Sequence, residues 1–191
     1  MEHEEISDWE CVQKVQSGDA NAFAVLVQRH ERRIFNLLYR WLGNYEEAAD
    51  VGQDVFLAAF RAIKRFRGES SFGTWLYRIG VNHAKNRQKG LALARKRREE
   101  AEHSDPPDAS TSDPAEEVEQ REIHEFVQLG LNDLPDDDAL IIVLHDLQEV
   151  RYEEIATMLD VPLGTVKSRL HRARLALKDK LSSRFGRKKW P

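Results

Sequence analysis

The sequence has one cysteine, Cys11, which excludes an internal disulfide and a cysteine-rich zinc site. Its longest apolar runs, such as Ala139-Leu-Ile-Ile-Val-Leu144, fall far short of the roughly 20 residues of a membrane span. No stretch alternates apolar and polar residues as a half-buried strand would. The seven histidines are scattered, and no His-x-x-x-His pair, nucleophile elbow or phosphate-binding glycine loop is present. The amino-terminal Met1-Glu-His-Glu-Glu5 is acidic and lacks the apolar core of a signal sequence. These absences set the expectation of a cytoplasmic protein with no direct membrane insertion, no metal, no cofactor and no small-molecule substrate.

An overall excess of positive charge is also lacking, since 29 lysines and arginines stand against 33 acids, a formal net charge of -4. Its distribution is uneven. Val161 to Pro191 holds ten lysines and arginines against one acid, Asp179, whereas Glu99 to Gln120 holds nine acids and no lysine or arginine. Such blocks assign separate tasks to separate segments.

What is present repeats at helical spacing, so the fold class is all-α. A first helix is expected from about Asp8 to Gln16, ending at Gly18. A second, after Asp19, carries Phe23, Leu26, Val27, Ile34, Leu37, Leu38, Trp41 and Leu42. A third follows the cap Asn44, with Glu47 at the capping-box position and Ala48, Val51, Val55, Ala59 and Ala62 as its apolar stripe. After the loop Phe66–Ser71, a fourth runs from Phe72 or Gly73 to about Arg98. The segment 99–113 is acidic, rich in proline and serine, and nearly free of large apolar groups, so it reads as a flexible acidic linker. A helix starting at Pro114 and running to Leu131, the stretch Asp137–Asp146, and two further helices complete the chain. The expectation is two small helical domains, 1–98 and 114–185, followed by a basic tail, 186–191.

The last two helices have the outline of a helix-turn-helix. Tyr152–Leu159 leads through Asp160-Val-Pro-Leu-Gly164 into Thr165–Lys178. At 100° per residue, Val166, Leu170, Ala173 and Leu177 share the core-facing arc. Ser168, His171 and Arg172 lie opposite, flanked by Thr165 and Lys167. Those groups suit base edges and phosphates, with Arg172 placed for a bidentate guanine contact and Lys167 and Arg169 for phosphates. An ordinary solvated basic face is the plainer reading of such a helix. The preceding helix, the turn and the local charge excess count against it. Leu175 also points away from the core, with no role evident from sequence.

On the fourth helix, Trp75, Arg78, Asn82, Lys85, Asn86 and Lys89 lie along one side. A side mixing an aromatic, amides and cations suits single-stranded nucleic acid, where rings stack on bases and cations hold the backbone. Stacking worth about 1–3 kcal/mol per base is comparable to opening one base step. For Trp75 and Tyr77, core packing is the competing reading. In the third helix Asp50 and Asp54 are i, i+4 neighbours beside Glu46 and Glu47. They suit a solvated helix start, a metal-using acid pair or a protein-docking face.

These segments together resemble a known family. Phe66-Arg-Gly-Glu-Ser-Ser-Phe-Gly-Thr-Trp-Leu-Tyr-Arg-Ile-Gly-Val-Asn82 is similar to the promoter-melting segment of bacterial extracytoplasmic-function (ECF) sigma factors. Asp50-Val-Gly-Gln-Asp-Val-Phe56 resembles their polymerase-binding helix. Tyr152-Glu-Glu-Ile-Ala156 and Gly164–Arg174 resemble their helix-turn-helix. The resemblance spans about Gly18 to Leu181 and is nearest the envelope-stress, sigma-E-like subgroup. It implies that Asp50, Gln53 and Asp54 dock on the clamp of the large subunit of core RNA polymerase. It implies that Phe66 and Asn82, with the loop Gly68–Ser71, receive a flipped base of the promoter −10 element. Arg67, Ser70, Phe72, Trp75, Arg78, Lys85 and Asn86 complete that set. Thr165, Lys167, Ser168, Arg169, His171 and Arg172 would read the −35 element as duplex. The linker would thread towards the polymerase RNA exit path, and a membrane-linked anti-sigma factor would occlude the Asp50–Asp54 face. His171 stands where a bulkier apolar or aromatic residue is common in the family, Gly80 replaces a common alanine, and the tail lies beyond the resemblance. The rival functions are a conventional helix-turn-helix regulator that binds operators without polymerase, and a metal-dependent nucleic-acid enzyme using Asp50 and Asp54.

Overall fold

The computed structural model describes residues 6–99 and 118–185. Most of the expected linker, the helix start at Pro114 and the basic tail lie outside the described residues. Within them every regular element is helical: α1 (Asp8–Gln16), α2 (Ala22–Leu42), α3 (Tyr45–Ala62), a 3-10 turn at Ile63–Arg65, α4 (Phe72–Glu99), α5 (Val118–Asn132), α6 (Asp136–Ile142), a π turn at Val143–Leu147, α7 (Tyr152–Leu159) and α8 (Leu163–Phe185). The chain divides into two compact units, residues 1–38 with 46–108, and residues 39–45 with 109–191. The second unit thus also takes in the α2–α3 turn.

In the first unit the apolar stripes form the core. Leu26, Ile34, Leu37, Val55, Ala59 and Leu76 are fully or almost fully buried. The cap of α1 is reciprocal: Ser7 Oγ accepts from the Glu10 N–H, and Glu10 accepts from the Ser7 N–H. Ser71 starts α4 by accepting from the Thr74 N–H at 3.0 Å.

In the second unit α5, α6 and α7 all pack on α8. Leu140, Ile141, Leu144, Ile155, Val166 and Leu170 make the core. Where α5 meets α8, a Cβ on Gly130 would lie 2.7 Å from Leu177 and Leu181, so a larger residue there would push those leucine side chains aside.

Two boundaries differ from the sequence reading. Pro162–Gly164 is not wholly turn. The Pro162 carbonyl accepts from Thr165 N–H and Val166 N–H, which makes Pro162 the cap and Leu163 the first helical residue. The turn is carried instead by Asp160, in the left-handed region at φ 54°. The last helix also continues past Lys178 to Phe185, since no breaker intervenes.

Candidate nucleic-acid interface

The loop Arg67–Ser71 and the first turns of α4 stand on an aromatic floor. The Phe66 ring lies 4.9 Å from Trp75, 6.0 Å from Phe72 and 6.1 Å from Trp9, centroid to centroid. Phe66 and Phe72 are only 7% and 3% exposed. These two expected contact residues thus lie beneath the loop, largely closed to solvent. Trp75 is half-buried against both. Tyr77 is buried in the core, and burial raises its hydroxyl pKa.

Arg67, Arg78, Asn82 and Asn86 are exposed, and Ser70 and Lys85 partly so. The buried side of α4 is Leu76, Val81 and Ala84. One surface thus offers cations and amides beside a half-open indole, a composition that can hold a phosphodiester strand and stack on its bases.

On α8 the buried face is Val166, Leu170 and Ala173, as the helical wheel places it. Lys167, Ser168, His171 and Arg172 are exposed, and Thr165 is half-buried. Lys167 Nζ sits 5.9 Å from the Tyr152 ring centroid, within cation–π range, and Tyr152 stacks on His145 at 4.3 Å. His145 is in turn hydrogen-bonded to the Val150 carbonyl at 3.0 Å. Arg169 faces Asp137, with Nη1 at 3.5 Å from the carboxylate, so part of its charge is engaged within the unit. Arg174 forms a two-pronged pair with Asp146 that raises the guanidinium pKa through the hydrogen bond. The two arginine pairs were not legible from local spacing, because each joins residues some 30 positions apart along the chain.

The acidic face of α3 keeps Asp50, Gln53 and Asp54 exposed. Arg87 of α4 pairs with Glu47 and approaches Asp50 at 3.7 Å. Among the described residues no cluster of three or more histidine, cysteine or acidic side chains is disposed to hold a metal. Beside this face α2 and α3 leave an apolar groove of about 760 Å³, lined by Phe23, Val27, Phe35, Phe56, Leu57 and Phe60 among others. Leu57 and Phe60 stand out into solvent at its rim. Among the described residues, no helix is long and apolar enough to cross a membrane.

Residues 26–99 match the family model for Sigma-70 region 2, and residues 127–177 match Sigma-70, region 4. The chain is 38% identical over 188 residues to the ECF RNA polymerase sigma-E factor of Haemophilus influenzae, covering 93% of this chain and 97% of that one. It is 38% identical over 187 residues to the RNA polymerase sigma-H factor of Pseudomonas aeruginosa, covering 89% and 91%. Its fold is similar to that of CnrH in complex with the cytosolic domain of CnrY, with a TM-score of 0.66, 25% identity, and coverage of 92% and 97%. With both region models in order and relatives matched over nearly their full length, the chain belongs to the ECF group of the sigma-70 family of RNA polymerase sigma factors.

Proposed function

We propose that this sigma factor brings core RNA polymerase to stress-type promoters by gripping two DNA states with two units. Unit 1–98 docks on the polymerase through Asp50, Gln53 and Asp54. It captures melted −10 bases with Asn82, Arg78, Lys85, Asn86, Arg67, Ser70 and the exposed part of Trp75, over the floor of Phe66 and Phe72. Unit 114–185 reads the −35 element as duplex through Thr165, Lys167, Ser168, His171 and Arg172, with Arg169 as a weaker phosphate contact. The linker 99–113 spans the two, and the polymerase performs the chemistry, so the chain itself is no enzyme. It works in the cytoplasm, where the polymerase is.

The observation that carries this reading is the contrast between the two faces. The α4 face sets an indole among amides and cations, which suits unstacked bases. The α8 face sets short hydrogen-bonding groups and cations on a helix opposite its core, which suits a major groove. A repressor acting alone has no use for the first of these. Run-off transcription tests the reading. Purified core polymerase supplied with this chain should start RNA synthesis on a template with an AAC-containing −35 element. Failure at every promoter of a randomised library rejects it.

Asn82→Ala should reduce open-complex formation, read by permanganate reactivity, about 10-fold or more at an intact −10 element, since a good amide hydrogen-bond contact to a base edge is worth about 1–3 kcal/mol. Closed-complex binding should change little. Equal loss in both steps counts against base capture. Asp54→Arg, at an exposed position, should leave the helical circular dichroism unchanged. It should weaken core polymerase association at least 10-fold, because like charges set against a complementary face cost several kcal/mol.

CnrH is held by the cytosolic domain of its partner CnrY. By that likeness we assign to this chain a membrane-linked anti-sigma factor that covers the Asp50–Asp54 face.

A further inference from the structure

Three contacts converge on the base-capture loop from one place, the amino-terminal helix α1. Gln16 Nε2 lies 2.8 Å from the Ile63 carbonyl oxygen and 2.9 Å from that of Phe66. A side-chain amide nitrogen has two hydrogens, so one group ties both ends of the turn from which the loop departs. Trp9 comes next. Its ring forms a wall beside Gly68, where an added Cβ would lie 2.9 Å from the indole, and meets Phe66 edge-on. Asp8 is the third. It is bonded to His30 Nε2 at 2.6 Å and Arg29 Nη1 at 3.0 Å, and the His30 ring meets Phe72, the first residue of α4, at 5.3 Å. Burial alone would raise the Asp8 carboxyl, but the hydrogen bonds from His30 and Arg29 outweigh it and hold the pKa low.

We infer that α1 is the positioning element of the base-capture loop. Gln16 fixes where the loop begins, Trp9 fixes its course at Gly68, and neither needs to touch DNA. The inference rests on the base-capture reading above. A loop that must already have the right shape binds in proportion to the fraction of time it has that shape. Two neutral hydrogen bonds of ordinary net strength hold that fraction by a factor of about ten or more.

The test uses holoenzyme assembled with the full chain. The probes are two fluorescent single-stranded oligonucleotides. One carries the non-template −10 strand of a promoter that the holoenzyme transcribes, and the other is identical except for one abasic position at the captured base. The ratio of their affinities measures capture alone. Gln16→Glu keeps the shape of the side chain but offers only acceptors to two carbonyls, and should lower the ratio about tenfold. Gln16→Lys, whose ammonium can donate to both carbonyls, should recover most of it. Generalised softening of the fold would instead weaken both probes equally and would not be rescued by lysine. Should Gln16→Glu not fold, Trp9→Ala, at a side chain 43% exposed, carries the test with an expected severalfold fall. A wild-type ratio above one that both Gln16→Glu and Trp9→Ala leave intact overturns the role of α1 while sparing the capture reading. A wild-type ratio of one overturns both.

Discussion

Leu170→Ala is expected to lower the stability of the second unit by about 2–5 kcal/mol, the range for removing a fully buried leucine. Leu170 is 1% exposed and lies on the stripe of α8 that also carries Val166 and Ala173, both with no exposed surface. Because α5, α6 and α7 all pack on α8, no single neighbour can collapse into the vacated space without losing contacts elsewhere. The loss is a large share of the roughly 5–15 kcal/mol that holds a domain of ordinary size together. Urea denaturation of the full chain, followed by far-ultraviolet circular dichroism, reads it as a fall in midpoint of the transition assigned to this unit. Leu170→Met, which nearly conserves volume, should cost less than about 1.5 kcal/mol. A change within about 0.5 kcal/mol for alanine, typical of surface sites, would mean that this face of α8 is not the core face.

The second large effect is expected at Gly68. Its backbone is at φ +75°, which L side chains rarely adopt, and a Cβ there would meet Trp9 at 2.9 Å. The left-handed region alone costs a substituted residue about 1–2 kcal/mol, and a β-branched side chain is worse placed still. Gly68→Val therefore has two ways to relax: the loop leaves its course, or the indole swings away. Both disturb the loop of the proposed base-capture surface. Initiation from the intact promoter should fall at least 10-fold, read by run-off transcription at saturating core polymerase. Gly68→Asn separates the causes, because asparagine tolerates the left-handed region but still carries a Cβ. An intermediate loss assigns part of the effect to backbone strain and the remainder to the Trp9 contact. Wild-type initiation with Gly68→Val would show that the loop's course does not matter.

How much of this was legible beforehand divides along a physical line. Helix faces were readable because burial on a helix follows a local period. Val51, Val55 and Ala59 on α3, and Val166, Leu170 and Ala173 on α8, are buried as their spacing indicates. The start of α8 was misplaced because Pro-Leu-Gly reads as a turn in isolation, whereas a proline carbonyl can equally accept the first bonds of a helix. The site itself was readable only in outline. Nothing local distinguishes buried Phe66 and Phe72 from half-open Trp75, since that difference is set by α1 and α2, some 40 to 60 residues earlier in the chain. Gln16 carries no motif at all, and its role depends on carbonyls 47 and 50 residues away. Charge pairs such as Arg87 with Glu47 escaped for the same reason.

The wide turn at Val143–Leu147 has a consequence for how this chain can vary in length. Gln148 N–H bonds to the Val143 carbonyl, a five-residue step where an α-helix takes four. The surplus residue is absorbed in place, and the stretch delivers Asp146 to Arg174 and His145 to Tyr152. Excising one position there would let the backbone tighten into regular α form at little local cost. It would also turn the side chains that follow it within the turn out of phase and part both pairings. Losses of single residues are therefore cheap for this segment's own backbone and dear for α8, whose Arg174 pairs with it.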